Sequence, residues 1–330
     1  MHLLPDAWTW DMWFVDDGRQ FHAFYLKASR ALIDPERRHL RASVGHAVSD
    51  DLRTWTELAD AFVPSDGPAF DDLAIWTGSM LRGPDGDWRF FYTGCSRARP
   101  EVQRISVARS RDLVHWTRDT GAPVLEADPT WYEKLGDSTW DNETWRDPWV
   151  LRAGDEWHML LTARARDGEL RGRGVVGHAV SADLEHWDVR APLSEPDTGF
   201  GQLEVLQLVE VEGRLVLLFS CLGAELSDAR RATDDRGGVW SLPVDSPTGP
   251  FDVGRATRLT DHRWYAGRLV EDRAGRWNLM AFRNEGDDGA FVGGIGDPVP
   301  VTWDGERLVL AGYDISSGTA PHARHRLTGE

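Results

Sequence analysis

Three carboxylates fall at matched places in this chain: Asp11 in Trp10-Asp11-Met12-Trp13, Asp147 in Trp145-Arg146-Asp147-Pro148-Trp149, and Glu204 in Gln202-Leu203-Glu204-Val205-Leu206. Charged side chains enter aromatic or apolar runs when a partner or a task holds them there. Each acid stands a short, similar distance ahead of a turn glycine. Asp11 is seven residues before Gly18, Asp147 seven before Gly154 and Glu204 nine before Gly213; Thr77 is nine before Gly86 and Tyr265 ten before Gly275. Carboxylates gathered beside Trp and Tyr suit the cleavage of glycosides. One acid protonates the leaving oxygen, and a second attacks the anomeric carbon or activates water. Aromatic faces stack on the apolar side of a sugar ring. Like-charge crowding and burial raise the pKa of at least one acid, which then stays protonated near neutral pH.

Those acids need elements that bring them to one depth, and the sequence repeats. Ser-x-Asp-Leu-x-x-Trp occurs at Ser49–Trp55, Ser110–Trp116 and Ser181–Trp187. A glycine turn runs into an apolar stretch after Gly18, Gly86, Gly154, Gly213 and Gly275, at intervals of 68, 68, 59 and 62 residues. The stretches are short, rich in Val, Ile, Phe, Tyr and Trp, and joined by hairpin-type turns. Five units of about four strands predict an all-β, five-bladed β-propeller whose first strands line the axis. A β-sandwich would leave the period unexplained. The expected organisation is one propeller domain over residues 1–312 and a closing segment or tail over 313–330, with no C-terminal β-sandwich.

Composition removes several function classes. The chain has 330 residues, 37 Lys+Arg against 54 Asp+Glu and a net charge of −17, which repels nucleic acid and anionic membrane surfaces. The expected partner is a small carbohydrate. No run of 18 apolar residues occurs and the first residues lack a leader pattern, so the expected location is cytoplasmic, with Cys95 and Cys221 as buried free thiols. Zinc spacing, phosphate-loop glycines and a nucleophilic serine elbow are missing, so no metal or cofactor is expected. His46 and His178 occupy equivalent Gly-His-Ala-Val-Ser positions and read as packing or hydrogen-bonding residues. Of the 17 Trp, eight belong to the repeats, and nine are expected around the acids: Trp8, Trp10, Trp13, Trp76, Trp131, Trp140, Trp145, Trp149 and Trp264.

These segments resemble the five-bladed-propeller sugar hydrolases and transferases of glycoside hydrolase families 32 and 68, the invertase and levansucrase superfamily. Trp10-Asp11-Met12-Trp13 resembles the levansucrase Trp-Asp-Ser-Trp, and Trp76-Thr77-Gly78-Ser79 their Trp-Ser-Gly-Ser. Arg146-Asp147-Pro148 matches the Arg-Asp-Pro motif, and Trp264-Tyr265-Ala266 with Arg268 resembles a pocket element. Glu204 falls at the acid/base position, followed by Val205-Leu206 rather than the usual Cys-Pro or Arg-Pro.

The resemblance implies a retaining hydrolase, with or without transfer activity, for β-fructofuranosides such as sucrose or fructo-oligosaccharides. Asp11 would be the nucleophile, Glu204 the acid/base and Asp147 the holder of ring hydroxyls. Trp10, Trp13, Trp76, Thr77, Arg146, Tyr265 and Arg268 would form the substrate-binding set. Three alternatives stay open: an inverting arabinofuranosidase or xylosidase propeller, a non-catalytic sugar-binding propeller, and a phosphorolytic enzyme with Arg268 and Arg283 in a phosphate pocket. The long connections Asp128–Thr144 and Gly223–Gly238 are expected to shape the leaving-group side.

Overall fold

A computed structural model describes residues 1–118 and 123–312. The tail expected over 313–330 lies outside the described residues. Twenty strands form five four-stranded antiparallel sheets, each in simple sequence order. Blade one is β1 (Ala7–Asp16), β2 (Phe21–Ser29), β3 (Ser43–Ser49) and β4 (Thr56–Glu57). Blade two is β5 (Ala74–Arg82), β6 (Trp88–Cys95), β7 (Gln103–Ser110) and β8 (Thr117–Arg118). Blade three is β9 (Trp145–Ala153), β10 (Glu156–Arg164), β11 (Gly174–Ser181) and β12 (Asp188–Arg190). Blade four is β13 (Glu204–Val211), β14 (Arg214–Cys221), β15 (Gly238–Val244) and β16 (Thr257–Arg258). Blade five is β17 (Trp264–Glu271), β18 (Trp277–Arg283), β19 (Val299–Asp304) and β20 (Arg307–Leu310). The expected five-bladed β-propeller is therefore the observed one, and the described residues hold no β-sandwich.

The repeats have plain physical causes. Gly18, Gly86, Gly154, Gly213 and Gly275 all adopt positive φ, between 62° and 89°, in the first hairpin of each blade, a conformation that costs glycine little. The Ser-x-Asp-Leu-x-x-Trp element is the turn from third to fourth strand. Ser110 Oγ accepts from Leu113 N at 2.9 Å, Asp112 Oδ1 accepts from Val114 N and His115 N at 2.9 and 2.8 Å, and Leu113 sits at φ 64°. Ser181, Asp183 and Leu184 repeat it, with Leu184 at φ 67°.

Hydrophobic clusters fill the seams between blades. One joins blade one to blades two and five, and others lie between blades two and three, three and four, and four and five. The ring closes where His2 bridges Ile295 and Gly294 N donates to Thr9 O at 2.9 Å. Cys95 and Cys221 are buried and unpaired. His46 and His178 each make a buried ring-to-ring hydrogen bond, His22 Nδ1 to His46 Nε2 at 2.8 Å and His158 Nδ1 to His178 Nε2 at 3.0 Å. No helix of the described residues is long and apolar enough to cross a membrane.

Candidate active site

The five axial strands share a defect at one depth. Register breaks between Trp10 and Met12, between Trp76 and Gly78, opposite Leu160–Thr162 in β9, between Glu204 and Gln207, and between Tyr265 and Arg268. Asp11, Asp147, Val205 and Ala266 take positive φ there, between 48° and 56° for the last three and 36° for Asp11. Bulges re-aim side chains, and strained non-glycine residues persist only where their surroundings over-determine them. In blades one to three the break takes Asp11, Thr77 and Asp147 out of the ladder, whereas in blades four and five Glu204 and Tyr265 keep their ladder partners and immediately precede it. A cavity of about 980 Å³ opens at this depth, lined by Trp10, Asp11, Trp76, Thr77, Arg146, Asp147, Glu204 and Tyr265 among others.

The acids differ in their partners. Thr77 Oγ1 donates to Asp11 Oδ2 at 2.6 Å, leaving Oδ1 without a donor among the described residues. Burial pushes the Asp11 pKa up to about 7; Asp147 adds to this, the Thr77 hydrogen bond opposes it, Glu204 raises it further and Arg38 lowers it. Asp147, almost fully buried, accepts from Thr162 Oγ1 at 2.8 Å and Val205 N at 3.1 Å, both on Oδ2. Burial raises its pKa, partly offset by the Arg146 charge. Glu204 receives Arg146 Nη2 on Oε1 at 2.5 Å and the Tyr265 hydroxyl on Oε2. The buried Arg146 is held firmly cationic, because Glu204 and Asp147 outweigh its desolvation.

The structure gathers Trp10, Trp76, Thr77, Arg146 and Tyr265 around the acids, and it corrects two members of the expected substrate-binding set. Trp13 is 1% exposed and stacks on Phe90 at 5.3 Å and Phe24 at 6.4 Å in the seam between blades one and two. Arg268 is also 1% exposed and lines a separate cavity of about 320 Å³. A strand advances about 3.3 Å per residue, so two or three positions past the bulge already lie deeper along the axis. The nine tryptophans divide for the same reason. Trp10, Trp76 and Trp140 line the main cavity, Trp8 and Trp145 are core, Trp149 and Trp264 line other cavities, and Trp131 is 43% exposed.

Sequence reasoning missed several rim residues. Arg38 and His39 arrive on the 3₁₀ segment Pro35–Arg41, capped by Asp34. Trp76 Nε1 donates to His39 O at 2.7 Å, and burial lowers the His39 pKa to about 4. Gln202 accepts from Arg146 and donates to Glu225 Oε1 at 2.6 Å. Burial next to Glu204 pushes the Glu225 pKa up to about 8. The two long connections do reach the rim, through Trp140, Asp141 and Asn142 and through Glu225. The sequence of the basic stretch Arg164-Ala165-Arg166 to Arg173 suggests solvated strand and turn, but Arg164 is buried: it pairs with Glu133 at 2.5 Å and lies 3.7 Å from the centroid of the Trp140 ring. Arg283 is engaged by Glu285 O and Asp287, so neither arginine of the phosphorolytic alternative builds a phosphate pocket here.

Fold and site together define a five-bladed β-propeller with three carboxylates and flanking tryptophans gathered in its axial cavity. The model of the glycosyl hydrolases family 32 N-terminal domain matches residues 13–292, and the chain belongs to this family. That membership removes support for the arabinofuranosidase and xylosidase alternative. Among relatives, the chain is 35% identical over 247 residues to an acid beta-fructofuranosidase of Vicia faba, covering 69% of this chain and 36% of that one. It is 31% identical over 287 residues to the cell wall isozyme of beta-fructofuranosidase of Pisum sativum, covering 79% and 47%. The chain therefore spans less than half the length of these two relatives. The fold is similar to that of inulosucrase from Halalkalicoccus jeotgali bound to kestose, with TM-score 0.78, 22% identity and coverage of 94% and 88%. It is also similar to Bacillus subtilis levansucrase, with TM-score 0.72, 15% identity and coverage of 93% and 86%.

Proposed function

We propose that the chain is a retaining hydrolase of uncharged β-fructofuranosides such as sucrose or fructo-oligosaccharides. The observation that carries this reading is the convergence of Asp11, Asp147 and Glu204 from three blades into one cavity, each with a different partner set. Asp11 Oδ1 attacks the anomeric carbon as Glu204 gives its proton to the departing glycosidic oxygen. The C–O bond to the leaving sugar breaks and a fructosyl ester on Asp11 forms. Glu204, now a carboxylate, takes a proton from water, whose oxygen displaces Asp11. Asp147 accepts from ring hydroxyls and opposes the positive charge that builds on the furanose.

Trp140 supplies the leaving-group platform. Arg164 covers one of its faces, and Gly201 leaves room nearby, where an added Cβ would meet Glu225 O at 2.7 Å and Trp140 Cη2 at 3.2 Å. The lining holds seven acidic side chains, Asp11, Glu36, Glu101, Asp141, Asp147, Glu204 and Glu225, against the guanidinium groups of Arg38, Arg146 and Arg171, an acidic excess that remains with Glu225 protonated. That balance selects against phosphorylated sugars. The cytoplasmic location expected from the sequence is part of this proposal; Cys95 and Cys221, buried in blades two and four, place no constraint on it.

The test is release of fructose from sucrose, 1-kestose and sucrose 6-phosphate by the wild type, Asp11→Ala and Glu204→Ala, with an aryl arabinofuranoside as control. Hydrolysis of the two neutral fructosides by the wild type alone is expected. Activity retained by either variant, or a preference for the phosphorylated sugar, would contradict the reading.

A further inference from the structure

Behind the catalytic cavity lies a buried arginine that the proposed reaction does not touch. Arg268 follows the bulge of β17, and its guanidinium reaches backbone carbonyls of two other axial strands. Nε donates to Met12 O at 3.3 Å, and Nη1 donates to Val205 O at 3.2 Å and Leu206 O at 2.6 Å. Met12 follows Asp11, and Val205 follows Glu204. One rigid fork thus spans the backbone next to both residues assigned as nucleophile and acid/base. Strained backbone lies beside one attachment point and at another, with Asp11, next to Met12, at φ 36° and Val205 at φ 56°. Bulged backbone of this kind keeps its shape only if something holds it.

Other features fit a tie rather than a ligand site. Trp149 lies beneath the guanidinium at 5.2 Å, and burial lowers the Arg268 pKa to about 10, with the charges of Asp147 and Asp11 opposing the drop. Nη2 is buried without a partner, beside the 320 Å³ cavity at the far end of the axis. Besides Arg268, the charged side chains lining that cavity are Asp16, Glu271 and Asp272, of which Asp16 pairs with Arg273 and Asp272 with Arg276.

We infer that Arg268 is a positioning residue: it sets the separation of the Asp11 and Glu204 carboxyl groups by tying the bulges of β1 and β13 to β17. The inference rests on the nucleophile and acid/base assignments above. It requires that Arg268 act on the chemical step rather than on sugar binding, since it has no place in the main cavity. Stability is supported separately: Gln207 links β13 to β17 through Leu269, donating to its O at 3.0 Å and accepting from its N at 2.7 Å.

Chemical rescue tests this directly. Arg268→Ala leaves a guanidinium-shaped space opening on the far cavity, which free guanidinium ion can refill. On sucrose, Arg268→Ala is expected to lose about 100-fold in kcat with KM within about threefold of wild type. Guanidinium chloride, far below unfolding concentrations, then restores about tenfold or more to the variant and nothing to the wild type, while urea and sodium chloride restore neither. Arg268→Lys keeps the charge but lacks the fork, so it is expected to lose about tenfold in kcat without moving the acidic limb of kcat/KM. Wild-type kcat in a cooperatively folded Arg268→Ala, or a loss that guanidinium and urea relieve equally, overturns the tie. If Arg268→Ala does not fold, wild-type kcat in Arg268→Lys overturns it. Asp11→Ala, assayed in parallel, separates the two levels: its inactivity beside a fully active Arg268→Ala rejects the tie alone, whereas its activity rejects the nucleophile assignment.

Discussion

The floor and the rim of the cavity are built differently. The floor consists of one residue from each axial strand, Asp11, Thr77, Asp147, Glu204 and Tyr265, standing in the bulge of blades one to three and immediately before it in blades four and five, and packed by the seams between them. The rim consists of single contributions from unrelated segments: Arg38 and His39 from a 3₁₀ turn, Trp140 and Asn142 from one long connection, Glu225 from another. A repeated scaffold gives the floor a rigid, shared geometry suited to chemistry. Unrepeated connections let the rim vary in what it admits. Chemistry should therefore break at the floor and selectivity at the rim.

The largest effect expected is at the floor. Asp11→Ala should lower kcat on sucrose by about 10⁴-fold or more, and Glu204→Ala by about 10²–10⁴-fold. Thr77→Val comes next. Asp11 must be anionic to attack, and its pKa near 7 makes kcat/KM fall as pH drops below neutrality. Removing the hydrogen bond that lowers this pKa should move that limb upward by about one unit, costing about tenfold below pH 6. At the rim, Trp140→Ala should raise KM for sucrose by about three- to tenfold and leave kcat nearly unchanged. An equal loss of kcat would erase the distinction between floor and rim.

The smallest effect lies outside both regions. Burial lowers the His46 pKa to about 3 and the His178 pKa to about 4, against an ordinary value of 6.5. A histidine depressed on folding adds stability that is complete above its unfolded pKa and is lost as pH falls below it. His46→Gln should flatten the decline of Tm between pH 6.5 and 4 by about 2–4 °C relative to wild type, read by calorimetry.

Floor and rim also differ in how far the sequence reveals them. The floor was legible because hairpin glycines mark depth along each axial strand, so counting back from Gly18 or Gly154 lands on Asp11 or Asp147. The bulges themselves leave no comparable mark. Trp13 and Arg268 enter the expected cavity set through the motifs they share with the resembled families, yet they lie deeper along the axis, in a blade seam and beneath the floor. Glu225 and Arg38 have no periodic partner that could single them out. Trp140 could be placed in the right loop, but the Arg164 that backs it reads as one more charge in a basic stretch, because burial of an ion pair depends on tertiary packing alone.

The central claim is a double displacement through Asp11, and the anomeric form of the first product tests it most directly. With sucrose labelled at the fructosyl anomeric carbon, ¹³C NMR in the first moments of turnover, before mutarotation, is expected to show β-fructofuranose, the configuration of the substrate. Initial appearance of α-fructofuranose would mean a single displacement and would contradict the role of Asp11 as nucleophile.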